Sequence, residues 1–228
     1  MANPPTDARW PKLLSLTVHE FRTPLTVVAG YIRMLLKDRA GPLTEPQRRL
    51  LEEAEKSCSR LSGLLAEISE LSALEGATAT FNRAPLDLRA VLEDVVSGLP
   101  ALPDRAITIE LDAPEGPLRT TGDATRLRSA LSSVVGALRR EIVGGGRLVV
   151  HAHTTDGDRR LAILIGEPER LDQLRSVTGG GTMFDEWRGG VGLSLANARR
   201  VIEAHGGNIR SPADGAKAAA TIQLPLEG

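Results

Sequence analysis

Two apolar stripes, each spaced 4, 3, 4, 3, 4, 3, constrain this chain more than any other feature. The first runs Leu14, Val18, Phe21, Leu25, Val28, Ile32, Leu35, and the second Leu50, Ala54, Ser57, Leu61, Leu64, Ile68, Leu71. Such spacing keeps one stripe on one face of an α-helix and does not suit the two-residue period of a strand. Gly41-Pro42-Leu43-Thr44-Glu45-Pro46 separates the two, and glycine and proline break a helix there. Two helices joined by a short turn make an αα-hairpin. Each also has apolar flanks, Leu13, Leu36, Leu51 and Leu65, that a lone hairpin leaves uncovered. Dimerisation into a four-helix bundle is the expected completion.

Inside the first stripe lies His19-Glu20-Phe21-Arg22-Thr23-Pro24-Leu25. Pro24 lacks an N–H, and its ring clashes with the carbonyl of Glu20, a cost of about 3 kcal/mol in a helix interior. A helix that keeps this cost beside an ionisable imidazole points to function. With Val18 and Phe21 in the core, His19 faces outward, Glu20 is adjacent, and Thr23 lies one turn along the same face. The run resembles the phospho-acceptor box of two-component sensor histidine kinases and matches it in full. The resemblance implies that His19 accepts phosphoryl, that Glu20 orients its ring, and that Thr23 positions water for hydrolytic loss.

The chain has 228 residues, 41% of them hydrophobic, enough for one or two packed domains. With 28 basic and 29 acidic residues the formal net charge is −1, which gives no bulk attraction to nucleic acid or membrane. The single cysteine, Cys58, cannot form an internal disulfide and reads as packing in a reducing compartment. No stretch reaches the roughly 18–20 apolar residues needed to span a bilayer, and the N-terminus lacks signal-peptide character. The expected location is the cytoplasm.

After the small-residue linker Gly76-Ala77-Thr78-Ala79-Thr80 the pattern changes. Residues 86–99 read as a helix with Asp87 as N-cap, and 124–140 as one capped by Asp123. Residues 107–111, 147–153 and 160–165 read as strands, the last two joined at Asp156-Gly157. A helix over 191–204 and strands over 207–210 and 218–224, turning at Asp214-Gly215, complete the set. Mixed helices and strands predict an α/β sandwich, one sheet covered by helices on one face. This half resembles the ATP-binding domain of the same kinases, the Bergerat-type fold shared with gyrase and Hsp90-type ATPases. Gly190-Val191-Gly192-Leu193-Ser194-Leu195 looks like a phosphate-binding glycine box opening a helix, where free N–H groups and the dipole favour anions. Phe184-Asp185-Glu186-Trp187-Arg188 resembles the phenylalanine box, and Asp123 to Leu127 the start of the asparagine-box helix.

The resemblance implies ATP and magnesium as ligands, and the departures count against both. The two expected asparagines fall at Ser133 and Ala137, and alanine offers no oxygen to magnesium. The aspartate expected to anchor adenine falls at Gly166, with Pro168 in place of a glycine. Glu167 is one residue off, and a one-residue shift turns a side chain to the other face. The lid is short, since Arg188-Gly189 runs straight into Gly190, with Gly179-Gly180-Gly181 as a relic. Arg140 occupies the place of a family lysine and, with Arg139, could hold an anion. His151 and His153 share a strand face without a third ligand, so no metal site is read. His205 reads as structural, satisfying helix-end carbonyls.

The fold class expected is therefore α+β. Residues 8–75 form the dimerisation and phosphotransfer hairpin, and 84–228 a degenerate ATP-binding-like domain. The favoured function is phosphoryl exchange between His19 and response-regulator receiver domains. An ATP-dependent sensor kinase with a divergent site, and a scaffold that moves no phosphate, stay open as alternatives.

Overall fold

The computed structural model describes residues 9–157, 159–176, 182–188, 192–212 and 217–227. The chain divides into two compact units at residues 79 and 80.

The first unit is the hairpin, α1 (Arg9–Leu36) and α2 (Glu45–Glu75). At the turn, Arg48 donates to the Leu36 carbonyl (2.9 Å) and to both carboxylate oxygens of Asp38 (2.9 and 3.0 Å). The last carbonyls of a helix lack a continuing turn to bond them, and at Leu36 a side chain from α2 supplies the donor. Thr44 and Gln47 form a capping box at the start of α2. At the opposite end Ser72 donates to the Pro11 carbonyl at 2.6 Å. The apolar stripe of α1 splits within one hairpin. Val18 and Ile32 are buried, while Phe21 is 60% exposed and Val28 49%. Val18 and Phe21 therefore do not share one interior in the single chain, as the spacing alone suggested. Leu13, Leu50 and Leu61 are also exposed.

The second unit is built on a six-stranded sheet in the order β2-β4-β5-β8-β7-β6. Its strands are β2 (Ile107–Asp112), β4 (Gly146–Thr155), β5 (Arg160–Gly166), β6 (Thr182–Met183), β7 (Asn208–Ser211) and β8 (Ala220–Pro225). Only β2 and β4 run parallel. A two-stranded sheet pairs β1 (Ala84–Asp87) with β3 (Arg119–Gly122). The helices are α3 (Leu88–Gly98), α4 (Ala124–Glu141), α5 (Pro168–Ser176) and α6 (Ser194–Ala204). Asp87 and Asp123 cap α3 and α4 as read, accepting from the N–H groups of Arg89 and Arg126.

Strand alternation sets which residues face the helices. On one face of the sheet Val150, Ile165 and Ala220 align, as do Ala152, Ile163 and Ile222. All six are at most 2% exposed. Helix α4 lies between α3 and α6 and packs on β5, closing the core with Leu127, Leu131, Val134 and Leu138. The other face is not bare. Helix α5 sets Leu171 and Leu174 against Val149, Leu164 and Ala219, a second small core absent from the one-sided sandwich expected. Strands β1, β3 and β6 also escaped the reading, being two to four residues long. The turn at Asp214-Gly215 and the glycines 179–181 lie outside the described residues.

Candidate functional site

Helix α1 continues through Pro24, and His19 stands on it with its side chain 75% exposed. Its Nδ1 lies 3.5 Å from Oε1 of Glu20, itself 72% exposed. Thr23, one turn on, is also exposed. The hairpin thus brings together the three residues read from the sequence, on a surface open to a macromolecule.

The nucleotide-site positions are differently placed. Ala137 is fully buried in α4 and presents a methyl group, while Ser133, one turn earlier, is half-buried. Gly166 pairs with Val149 across β4 and β5, which assigns it to the face covered by α5. A Cβ there would meet Leu174 Cδ1 at 3.4 Å and Ala219 Cβ at 3.7 Å. A carboxylate at 166 would enter the small apolar core rather than the space beside α4. Arg140 is exposed, and its carbonyl accepts from Arg105 at 2.8 Å. Arg139 is buried, and that burial lowers its pKa, with Arg140 contributing. Gly190 lies outside the described residues. Gly192 has φ 69°, a left-handed conformation natural for glycine, just ahead of α6.

Sequence reasoning missed what fills the space at the end of α4. Glu141 lies one turn beyond Ala137, on the same side of the helix. Arg188 donates to it through Nε (2.7 Å) and Nη2, and the two side chains are only 13% and 10% exposed. The Ala218 N–H also donates to Glu141, at 2.6 Å. Burial alone would raise the Glu141 carboxyl. The Arg188 guanidinium, the Ala218 N–H and Lys217 outweigh it and hold the group below the usual carboxylate range. The signal was present in Arg188, which abuts the glycine box where a longer lid was expected. Phe184 is buried, whereas Trp187 is 70% exposed. Magnesium nucleotide does not fit the residues read for it: Ala137, expected at the metal, is a buried methyl, and Gly166, expected at adenine, lies under α5.

His205 is structural in its contacts. Its Nδ1–H donates to the Val201 carbonyl (2.7 Å), and Nε2 accepts from the Asp123 N–H (3.0 Å). His151 stacks on His153 with ring centroids 5.3 Å apart and bonds Asp112 at 2.6 Å. Among the described residues no group of three or more His, Cys, Asp or Glu could hold a metal ion, and no helix is long and apolar enough to cross a membrane.

Residues 12–77 match the family model of the His Kinase A (phospho-acceptor) domain. The sensor histidine kinase GacS of Pseudomonas protegens is 26% identical over 221 residues, 91% of this chain and 24% of GacS. This chain spans about a quarter of the length of the curated relatives it matches. Histidine kinase AdeS of Acinetobacter baumannii has a solved structure similar at TM-score 0.59 and 21% identity, covering 92% of this chain and 98% of that one. Full-length ShkA, crystallised in complex with AMPPNP, is similar at TM-score 0.67 and 22% identity, covering 95% of this chain and 46% of ShkA. At such identities the two structures share the fold. A hairpin that matches the phospho-acceptor family model, followed by a mixed-sheet unit and with sensor kinases among its relatives, makes this chain similar to the core of two-component sensor histidine kinases.

Proposed function

We propose that this chain carries phosphoryl on His19 and exchanges it, as a homodimer, with aspartates of response-regulator receiver domains, ATP-driven autophosphorylation being lost or strongly reduced. One contrast carries the reading. The His19–Glu20 pair is intact and open, while Ala137 is a buried methyl and, one turn further along α4, Glu141 is paired with Arg188. Similarity to sensor histidine kinases supports the partner, since proteins of that kind dimerise and signal to response regulators.

In this reading Nδ1–H of His19 donates to Glu20, which leaves the Nε2 lone pair free to react. The 3.5 Å separation is long, as catalytic hydrogen bonds often are before the partner arrives. Nε2 attacks the phosphorus of an aspartyl phosphate. The N–P bond forms as the P–O bond to aspartate breaks, and the carboxylate leaves with the electron pair. Transfer to a second receiver repeats the exchange in reverse, and attack by water near Thr23 releases phosphate.

The test is to incubate the protein with a phosphorylated receiver and, separately, with labelled ATP and magnesium. The receiver should label wild type but not His19→Ala, and ATP should label neither. Label that persists in His19→Ala would show another route, and rapid labelling from ATP would restore the active-kinase reading.

A further inference from the structure

We propose that the end of α4 holds an oxyanion site of the phosphate class, centred on the buried guanidinium of Arg139. The site lies within the second unit and does not depend on the phosphoryl chemistry read for His19.

Arg139 is only 5% exposed, and its Nε is enclosed without a hydrogen-bond acceptor. Elsewhere in this unit Arg126 pairs with Asp123, Arg128 with Asp94, Arg188 with Glu141 and Arg199 with Glu186. Among the described residues Arg139 has no such partner. Burial lowers its pKa and the Arg140 charge adds to the effect, with no carboxylate opposing them. An enclosed cation left in that state is costly, and an incoming anion removes the cost.

Helix geometry fixes where the guanidinium sits. Arg128, Ser132, Val135 and Arg139 follow one another at spacings of 4, 3 and 4, so they share one flank of α4. From this flank Arg128 reaches Asp94 on α3, and a Cβ on Gly136 would meet Leu99, just past α3, at 3.7 Å. Arg139 therefore lies past the end of α3. Ala137 and Glu141, each two residues away, fall about 160–200° round the helix, on the opposite flank. The position read for magnesium is thus not part of this site.

The last turn of a helix favours cations, yet its carbonyls are already engaged. Arg105 donates through Nη1 to those of Arg140 (2.8 Å) and Ile142 (2.7 Å), and the Ile142 N–H donates to that of Arg139 (3.4 Å). Arg105 is thereby held at the same helix end, and both it and Arg140 are exposed. Three arginines gather there, and among the described residues no carboxylate pairs with any of them. Glu141 turns to Arg188 instead. This composition selects the ligand. Guanidinium groups bind oxygens in pairs, and a phosphate carries enough oxygens and charge to meet more than one of them. A carboxylate, with two oxygens and one charge, leaves part of the cluster unmatched.

The experiment titrates the full chain with inorganic phosphate, phenyl phosphate or acetate at constant ionic strength, read by calorimetry and by the urea midpoint. Phosphate should bind wild type with a Kd of about 1 mM or tighter and raise the midpoint. Acetate should bind at least ~10-fold more weakly. Arg139→Leu removes the enclosed charge, and should bind phosphate at least ~10-fold more weakly than wild type, with no rise in midpoint. Arg139→Lys keeps the charge without the fork and should fall between the two. If Arg139→Leu does not fold, Arg140→Gln at the exposed neighbour serves as the test, with affinity reduced at least ~3-fold. Phenyl phosphate binding as tightly as inorganic phosphate would assign the site to a phosphate monoester, and weaker binding would assign it to the free ion. Wild type indifferent to phosphate, or phosphate binding equally to wild type and Arg139→Leu, would overturn the site. Acetate binding as tightly as phosphate would overturn the ligand class.

Discussion

His205 shows how one buried side chain joins two helices of the second unit. It fastens the end of α6 to the N-cap of α4, and Gly122 allows its approach, since a Cβ there would lie 2.8 Å from the ring. Burial lowers the His205 pKa from its ordinary 6.5, and Arg83 and Arg126 add to the effect while the Val201 carbonyl and Asp123 oppose it. A depressed folded value means that protonation favours the unfolded chain. Stability should be complete above about pH 6.5 and fall as pH drops through the folded value. Asp123 and Glu141 extend the loss below their ordinary 3.8 and 4.5, because both are held low in the fold. Urea denaturation from pH 8 to 4 checks this, and a midpoint that is flat down to pH 5 would refute it. Gly166→Asp should cost about 2–4 kcal/mol, since it places an unpaired carboxylate against Leu174 and Ala219. It should add no affinity for ATP in calorimetry.

Among the elements, α1 holds a proline at its centre and still runs 28 residues. The Glu20 carbonyl, in the residue next to His19, therefore lacks its usual donor. Pro24→Ala should restore that hydrogen bond and stabilise the hairpin by about 1–3 kcal/mol, seen as a higher urea midpoint of the helical signal. Phosphoryl acceptance by His19 should slow if the weakened turn serves the reaction. Helix α5 teaches a different lesson. It has few apolar residues to announce it, and Pro168 at its start suits a first helical turn. Its two leucines form a core only because β4, β5 and the approach to β8 bring Val149, Leu164 and Ala219 beneath them.

At the scale of the whole molecule, one hairpin leaves Phe21, Val28, Leu50 and Leu61 at 49–72% exposure. Covering such residues is what a second hairpin does in a four-helix bundle. Leu61→Glu should yield a monomer in light scattering with its helices retained, because this side chain is exposed within the single chain. Ile32→Ala, at a buried position, should instead destabilise the hairpin itself by about 2–5 kcal/mol. A Leu61→Glu protein that stays dimeric would show that the bundle closes elsewhere. The long periodic helices, the caps Asp87 and Asp123, and the β4–β5 hairpin were legible, since each is a local pattern of spacing or turn chemistry. The outward His19–Glu20 pair was legible for the same reason. Strands β1 and β3 were not, because their pairing joins residues 84–87 to 119–122 and neither segment alternates by itself.

The sequence alone determined the helical hairpin, the outward His19 and the lack of a side-chain oxygen at Ala137, because these follow from identity and spacing along one element. Only the tertiary structure decided that Gly166 lies under α5 and that Arg188 meets Glu141, 47 residues away in sequence. Strand alternation fixed the first, and the packing of α4 beside the 184–188 segment fixed the second. Neither is a property of local sequence, since each depends on which surfaces the folded core brings together.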